Sequence, residues 1–134
     1  MTPPVKHYVT VDAVIVVNDQ IVLIQRQNEP FKGMWALPGG FVDENECVID
    51  ACKREAKEET NLSIIPSTIV GVYSEPNRDP RGHIISIAFT CLLWNDGYEL
   101  KAGDDAKNVR WFQLKQLPPL AFDHAKIIKD WSEL

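Results

Sequence analysis

Glu55, Glu58 and Glu59 stand close together in the run Arg54-Glu55-Ala56-Lys57-Glu58-Glu59-Thr60, behind a Leu37-Pro38-Gly39-Gly40 turn. On a helix from Val48 to Thr60, at about 3.6 residues per turn, Val48, Ala51 and Cys52 form an apolar stripe and the three glutamates prolong it. Asp50, Lys53 and Lys57 fall on the opposite, solvated side. The core-facing stripe therefore ends in acids, at the helix end where the macrodipole disfavours each carboxylate by about 0.3–1 kcal/mol. Neighbouring like charges at i, i+3 and i, i+4 add a similar penalty. A cation is expected there, and oxygen-only ligands suit a hard divalent ion, Mg²⁺ first and then Mn²⁺ or Ca²⁺.

An isolated acidic helix end of this kind is more often a solvated face, with Glu55 paired to a nearby Arg or Lys. Its company reverses that reading. Gly40, five residues, Glu46, seven residues, then Arg54-Glu55-x-x-Glu58-Glu59 closely resembles the box of the Nudix hydrolase family, matched from Gly40 through Leu62. One position departs: Asn61 stands where the family usually has Gly. Asn is the non-glycine residue that best tolerates the left-handed conformation of a helix terminus, so the turn is expected to survive.

The resemblance extends past the box. Ser74 to Ile87, Ala102 to Ala106 with Val109-Arg110-Trp111-Phe112, and Leu120-Ala121-Phe122-Asp123-His124 look like the ADP-ribose pyrophosphatase branch. The family fold implied is an α/β/α sandwich with a mixed β-sheet, the box forming loop-helix-loop. The chain, residues 1–134, then reads as a single domain of that kind.

Composition agrees with one domain: 134 residues of ordinary apolar content can build one core and not two. No apolar run is long enough to span a membrane, and Met-Thr-Pro-Pro-Val-Lys lacks a signal-peptide core, so a cytoplasmic protein with no membrane partner is expected. Cys47, Cys52 and Cys91 lack CxxC spacing, which argues against a disulfide framework or zinc site. A net charge of −5 argues against a nucleic-acid binder held by a broad basic surface. It leaves room for a phosphate-bearing small molecule, because a bound metal inverts the local sign.

The elements that must carry the site follow from pattern. Tyr8 to Val17 and Gln20 to Arg26 read as strands joined through Asn18-Asp19, a pair suited to positive φ in a tight hairpin. Continuous hydrophobicity from Ala13 to Val17 implies a strand covered on both faces. Trp35 to Leu37, Leu62 to Ile65, Thr68 to Ser74, His83 to Trp94 and Val109 to Gln113 read as further strands. Asn95-Asp96-Gly97 reads as a turn, and Asp123 is placed to cap a last helix running to about Trp131. The stiff loop Glu75 to Gly82 carries Arg78 and Arg81.

The resemblance implies a metal-assisted hydrolysis of a diphosphate, with Glu55, Glu58, Glu59 and the Gly39 carbonyl as ligands, Arg54 orienting the acids and Glu46 fixing the loop. The general base is open: a box carboxylate, Glu59 or Glu58, comes first, then Asp105, then Asp104. Arg26, Arg78 and Arg81 are candidates for the substrate's phosphates, through forked hydrogen bonds, or else Arg78 and Arg81 merely pair with Asp79 and Glu75. His83 and His124 read as structural.

The leading expectation is Mg²⁺-dependent cleavage of ADP-ribose to AMP and ribose 5-phosphate. Nucleoside triphosphate or dinucleoside polyphosphate hydrolysis is the second. A non-catalytic ADP-ribose sensor is the third, opposed by the intact box acids and by the lack of a winged-helix extension. A homodimer is an expectation from related enzymes, with no stretch that identifies its interface.

Overall fold

The computed structural model describes residues 4, 6–94, 99–103 and 106–134. β1 (Tyr8–Val17) and β2 (Gln20–Arg26) form the expected hairpin, with Asn18 and Asp19 at φ 49° and 63° supplying the twist that tight hairpins need. The strands pair at Val16↔Ile21 and Val17↔Gln20, and further from the turn they part. The freed edge of β1 at Thr10, Val11 and Asp12 is taken by β4 (Gly39–Phe41), while β2 pairs with β3 (Trp35–Ala36) and β7 (Ala106–Gln113). This fork between β1 and β2 opens the sheet into a cleft.

On its other edge β1 runs parallel to β6 (Ile84–Leu93), from Tyr8↔Ile84 to Ile15↔Cys91, and β6 pairs antiparallel with β5 (Ile64–Tyr73). The result is a mixed sheet of order β3-β2-β1-β6-β5. Side chains of β1 alternate between its faces. Val11, Ala13 and Ile15 pack with Ala51, Cys52 and Ala56 of α1 (Val48–Thr60), and Val14 packs on the opposite side with Ile127 and Ile128 of α2 (His124–Ser132). The layers are therefore helix, sheet, helix. Each fully buried Ile or Leu contributes roughly 1.5–3 kcal/mol to holding them together.

Several local expectations are corrected. Leu62 to Ile65 and Thr68 to Ser74 are one strand, β5, interrupted by register shifts at Pro66/Thr68 and Ile69/Gly71. Pro66 has no N–H to donate, so a bulge absorbs it without ending the strand. The glycine turn is itself a short strand, β4, and β7 begins at Ala106. Asp123 precedes α2 but makes no capping bond with its side chain. Asn61 does close α1 at φ 68°, its N–H donating to the Lys57 carbonyl (3.0 Å) and its side-chain amide to the Glu99 carbonyl (3.0 Å). The expected turn at Asn95-Asp96-Gly97 lies outside the described residues. Among the described residues no helix is long and apolar enough to cross a membrane, and Cys47, Cys52 and Cys91 are free thiols.

Candidate active site

β4 lies so close to β1 that a side chain at Gly39 would collide with the Val11 carbonyl, and one at Gly40 would sit 2.6 Å from the Glu55 carboxyl. The absence of side chains there is what lets Glu55 lie directly against the strand. Gly39 N–H donates to Glu59 Oε1 at 3.1 Å, and the Glu55 and Glu59 carboxyls share a hydrogen bond. Glu59 is 6% exposed. Burial first, and then the Glu55 charge, pushes its carboxyl well above the usual range, and burial raises Glu55 against the opposing pull of Arg54.

Arg54 organises these acids from the solvent side. Its Nε and Nη2 donate to Glu46 (2.8 and 2.9 Å), Nη1 to Glu55 (2.7 Å) and Glu58 (3.3 Å), and Nη2 also to the Phe41 carbonyl (3.0 Å). The forked bond to Arg54, joined by the Asp43 N–H, lowers Glu46 to about 2. Helix α1 and the loop before it are thereby pinned to each other at the point where the acids emerge.

The glutamate trio is split. Glu55 and Glu59 face the cleft, whereas the Glu58 side chain is 57% exposed and stands beside Arg54. Among the described residues no three acidic, histidine or cysteine side chains converge as a ready-made ligand shell. The donor set still fits a divalent cation: hard carboxylate oxygens of Glu55, Glu58 and Glu59 and the Gly39 carbonyl, with two acids pressed together in a space kept free of side chains. Like charges so placed share a proton when nothing else neutralises them.

A polar cavity of about 300 Å³ extends from Glu55 and Glu59 over Gly39, Gly40 and Thr10 to Arg26 and Arg81. Arg26 is half-buried, its Nε donating to the Pro30 carbonyl (2.6 Å) and its guanidinium lying 4.9 Å from the Phe122 ring centroid. Arg81 is held by Asp79 through two side-chain bonds (3.0 and 2.8 Å) and stands over both Phe41 (4.9 Å) and Phe122 (5.5 Å). Phe41, Arg81, Phe122 and Arg26 thus alternate as a stacked column. Arg78 borders the cleft differently. Its side chain is 3% exposed and committed to a forked bond with Asp123 (2.9 and 2.7 Å) and to the Ile84 carbonyl (3.3 Å). Its partner is Asp123 and not Glu75, and this pairing is what withholds the Asp123 carboxylate from capping α2. Asp104 and Asp105 lie outside the described residues.

The floor of the cleft is built from residues that the sequence pattern did not single out as a group. Asp12 is buried in the middle of β1, accepting from the Ser86 hydroxyl and standing 3.3 Å from His124 Nε2. Leu37 N–H donates to His124 Nδ1 (3.0 Å), so Nε2 carries the ring proton and the imidazole is neutral. The available signal was an acid inside an otherwise apolar run, Val11 to Val17. Burial lowers the His124 pKa, so the unfolded chain takes up the proton first as pH falls. His124 stability is therefore present at neutral pH and lost below the ordinary histidine value of about 6.5. Urea unfolding of wild type should steepen there by up to about 1.4 kcal/mol per pH unit relative to His124→Asn. Parallel pH curves for the two proteins would show that the ring is not held neutral.

The NUDIX domain family matches residues 6–131, a span that holds the glycine strand, the glutamate-bearing helix end and the arginine that pins them. The chain belongs to that family. It is 57% identical over 123 residues to the ADP-ribose pyrophosphatase of Methanocaldococcus jannaschii, covering 92% of this chain and 72% of that protein. Among solved structures it resembles the bifunctional NMN adenylyltransferase/ADP ribose pyrophosphatase of Francisella tularensis complexed with AMP and a Mn ion. That match has TM-score 0.84, 35% identity, and coverage of 98% of this chain and 43% of that one. It also resembles the NUDIX domain of Shewanella oneidensis NrtR complexed with ADP ribose, with TM-score 0.82, 31% identity, and coverage of 96% and 88%. Divalent metals are the cofactors of Nudix hydrolases.

Proposed function

We propose that this chain is a cytoplasmic pyrophosphohydrolase that uses Mg²⁺ to cleave ADP-ribose to AMP and ribose 5-phosphate. The observation that carries the reading is the contact of Glu55 and Glu59 with each other and with Gly39-Gly40, at the end of a polar cavity bordered by Arg26 and Arg81. The ADP-ribose pyrophosphatase of Methanocaldococcus jannaschii, at 57% identity, supports the choice of substrate.

Hydrolysis of a diphosphate requires that its negative charge be offset, that water attack phosphorus in line, and that a proton leave the water. Glu55, Glu58, Glu59 and the Gly39 carbonyl would hold the cation, which offsets the diphosphate charge and lowers the pKa of a water. Arg54 keeps these oxygens facing the cleft. Arg26 and Arg81 take the phosphate oxygens, with Asp79 fixing the Arg81 fork. Arg78 supports the wall through Asp123 and Ile84. A box carboxylate accepts the proton, Glu59 first, with Asp105 and then Asp104 as the alternatives that single Ala variants would rank. The water oxygen bonds to one phosphorus, the bridging P–O bond breaks, and two phosphomonoesters leave.

Product analysis on ADP-ribose, NADH, diadenosine polyphosphates and oxidised dGTP, with and without Mg²⁺, tests this. ADP-ribose should be the preferred substrate by about tenfold or more in kcat/KM, yielding AMP and ribose 5-phosphate. Preference for a triphosphate would contradict the assignment. The likeness to the NrtR domain complexed with ADP ribose supports a sensor as the second reading, and binding without turnover would select it.

A further inference from the structure

The catalytic cavity does not end at Arg81. On the far side of Phe41 and Arg81 lies a second cavity of about 430 Å³, bounded also by Tyr8, Val42, Ile84, Asp43 and Glu44. Both Phe41 and Arg81 border the two cavities, so they form a shared wall. The second cavity is an apolar shelf. Tyr8 is 62% exposed and meets Phe41 edge to face, with ring centroids 6.1 Å apart.

We propose that this shelf receives the nucleobase of the substrate, so that a nucleoside diphosphate lies across the Phe41–Arg81 wall with its base outside and its diphosphate inside. The proposal rests on the diphosphate-hydrolase reading above and assigns the part of the substrate that reading leaves unplaced. Three observations carry it. The polar cavity holds Glu55, Glu59, Arg26 and Arg81, the groups suited to a charged diphosphate and its cation, and offers a base little apolar surface. The deeper recess on the other side, beneath Arg78, Phe122 and His124, measures about 50 Å³, room for a few waters at about 10–15 Å³ each and not for a purine. The shelf adjoins the polar cavity through the shared Phe41 and Arg81 and is lined by the aromatic side chains of Tyr8 and Phe41, on which bases of any sequence stack.

Charge fixes the orientation. Asp43 and Glu44 rim the shelf and repel a diphosphate, while an uncharged base meets no such penalty. Arg81, clamped by Asp79 and lying against Phe41, keeps the wall upright and faces the phosphate side. The base is thus recognised by its face and the diphosphate by its charge.

The test compares two substrates in wild type and Tyr8→Ala: ADP-ribose, and an analogue in which a methyl group replaces adenosine on the ribose diphosphate. Wild type should prefer ADP-ribose in kcat/KM, and the variant should reduce that preference about tenfold, the fold-change of losing one stacking platform. Product inhibition supplies a second reading: AMP should inhibit the variant about tenfold more weakly, while the constant for ribose 5-phosphate stays with that of wild type. An unchanged preference together with unchanged AMP inhibition would overturn the proposal, as would a shift from dimer to monomer in Tyr8→Ala with the preference intact, which would make the shelf a contact between two copies. Failure of the hydrolase reading looks different. Wild type would then turn over neither substrate, and Tyr8→Ala would still weaken AMP binding measured by calorimetry.

Discussion

Glu59→Gln is expected to lower kcat by about 10³-fold and, in the metal-free protein at pH 8, to raise the unfolding temperature. Both effects come from one buried carboxyl. Its neighbours hold it where burial and the Glu55 charge oppose ionisation, so its folded pKa is raised. The sign follows: below the ordinary carboxylate range near 4.3 both folded and unfolded forms are protonated and no penalty exists. As pH climbs through the raised folded value, the unfolded chain releases its proton more readily and the folded state is destabilised. Gln keeps an oxygen to accept from Gly39 N–H and removes the charge. A gain of about 1 kcal/mol at pH 8 corresponds to roughly 3–6 °C in a domain of this size, and the gap should close by about pH 4.5. Calorimetric melts at both pH values check it, and a less stable variant at pH 8 would contradict it. Divalent cation should then raise the wild-type midpoint by more than that of Glu59→Gln.

Arg54→Ala is expected to weaken the apparent affinity for Mg²⁺ by at least about tenfold and to lower kcat/KM at limiting Mg²⁺ by about 10²-fold, with near-normal circular dichroism. Arg54 ties Glu46, Glu55, Glu58 and the Phe41 carbonyl together, so without it the helix end and the glycine strand lose this shared anchor. The side chain is 27% exposed, and water can take up the donors left behind, which is why the fold should stand. Excess Mg²⁺ should restore part of the rate. Arg54→Lys should rescue poorly, because one ammonium cannot reproduce a fork that reaches three carboxylates and a carbonyl. Mg²⁺ dependence identical to that of wild type would remove Arg54 from the role assigned to it.

What the sequence disclosed were features whose cause is local. The bounds of α1 followed from its stripe and from Asn61, and the β1–β2 hairpin followed from Asn18-Asp19. The acid-bearing helix end was legible from spacing, yet its split was not anticipated. Glu59 lies about 40° around the helix from Glu55 and Glu58 about 60° the other way, so Glu59 turns inward and Glu58 meets solvent.

Features set by pairing across the chain stayed hidden. The fork that makes the cleft depends on β4 displacing β2 from β1, which no pattern within either strand encodes. Arg78 reaches Asp123 across 45 positions, past the nearer Asp79 and Glu75. Asp12, Ser86 and His124 come from two strands and a helix and meet only when the sheet closes beneath α2. Phe122, whose ring completes the stacked column, sits in the left-handed region at φ 53°, a conformation unfavourable for its residue type and invisible in its spacing.

The most direct test is titration of the protein with Mn²⁺ in the presence of AMP, following free ion by its electron paramagnetic resonance signal. Wild type should remove Mn²⁺ from solution with saturable binding, and Glu59→Gln and Glu55→Gln should each weaken that binding by at least about tenfold. Undiminished binding in both variants would place the cation elsewhere and refute the role given to the paired carboxylates.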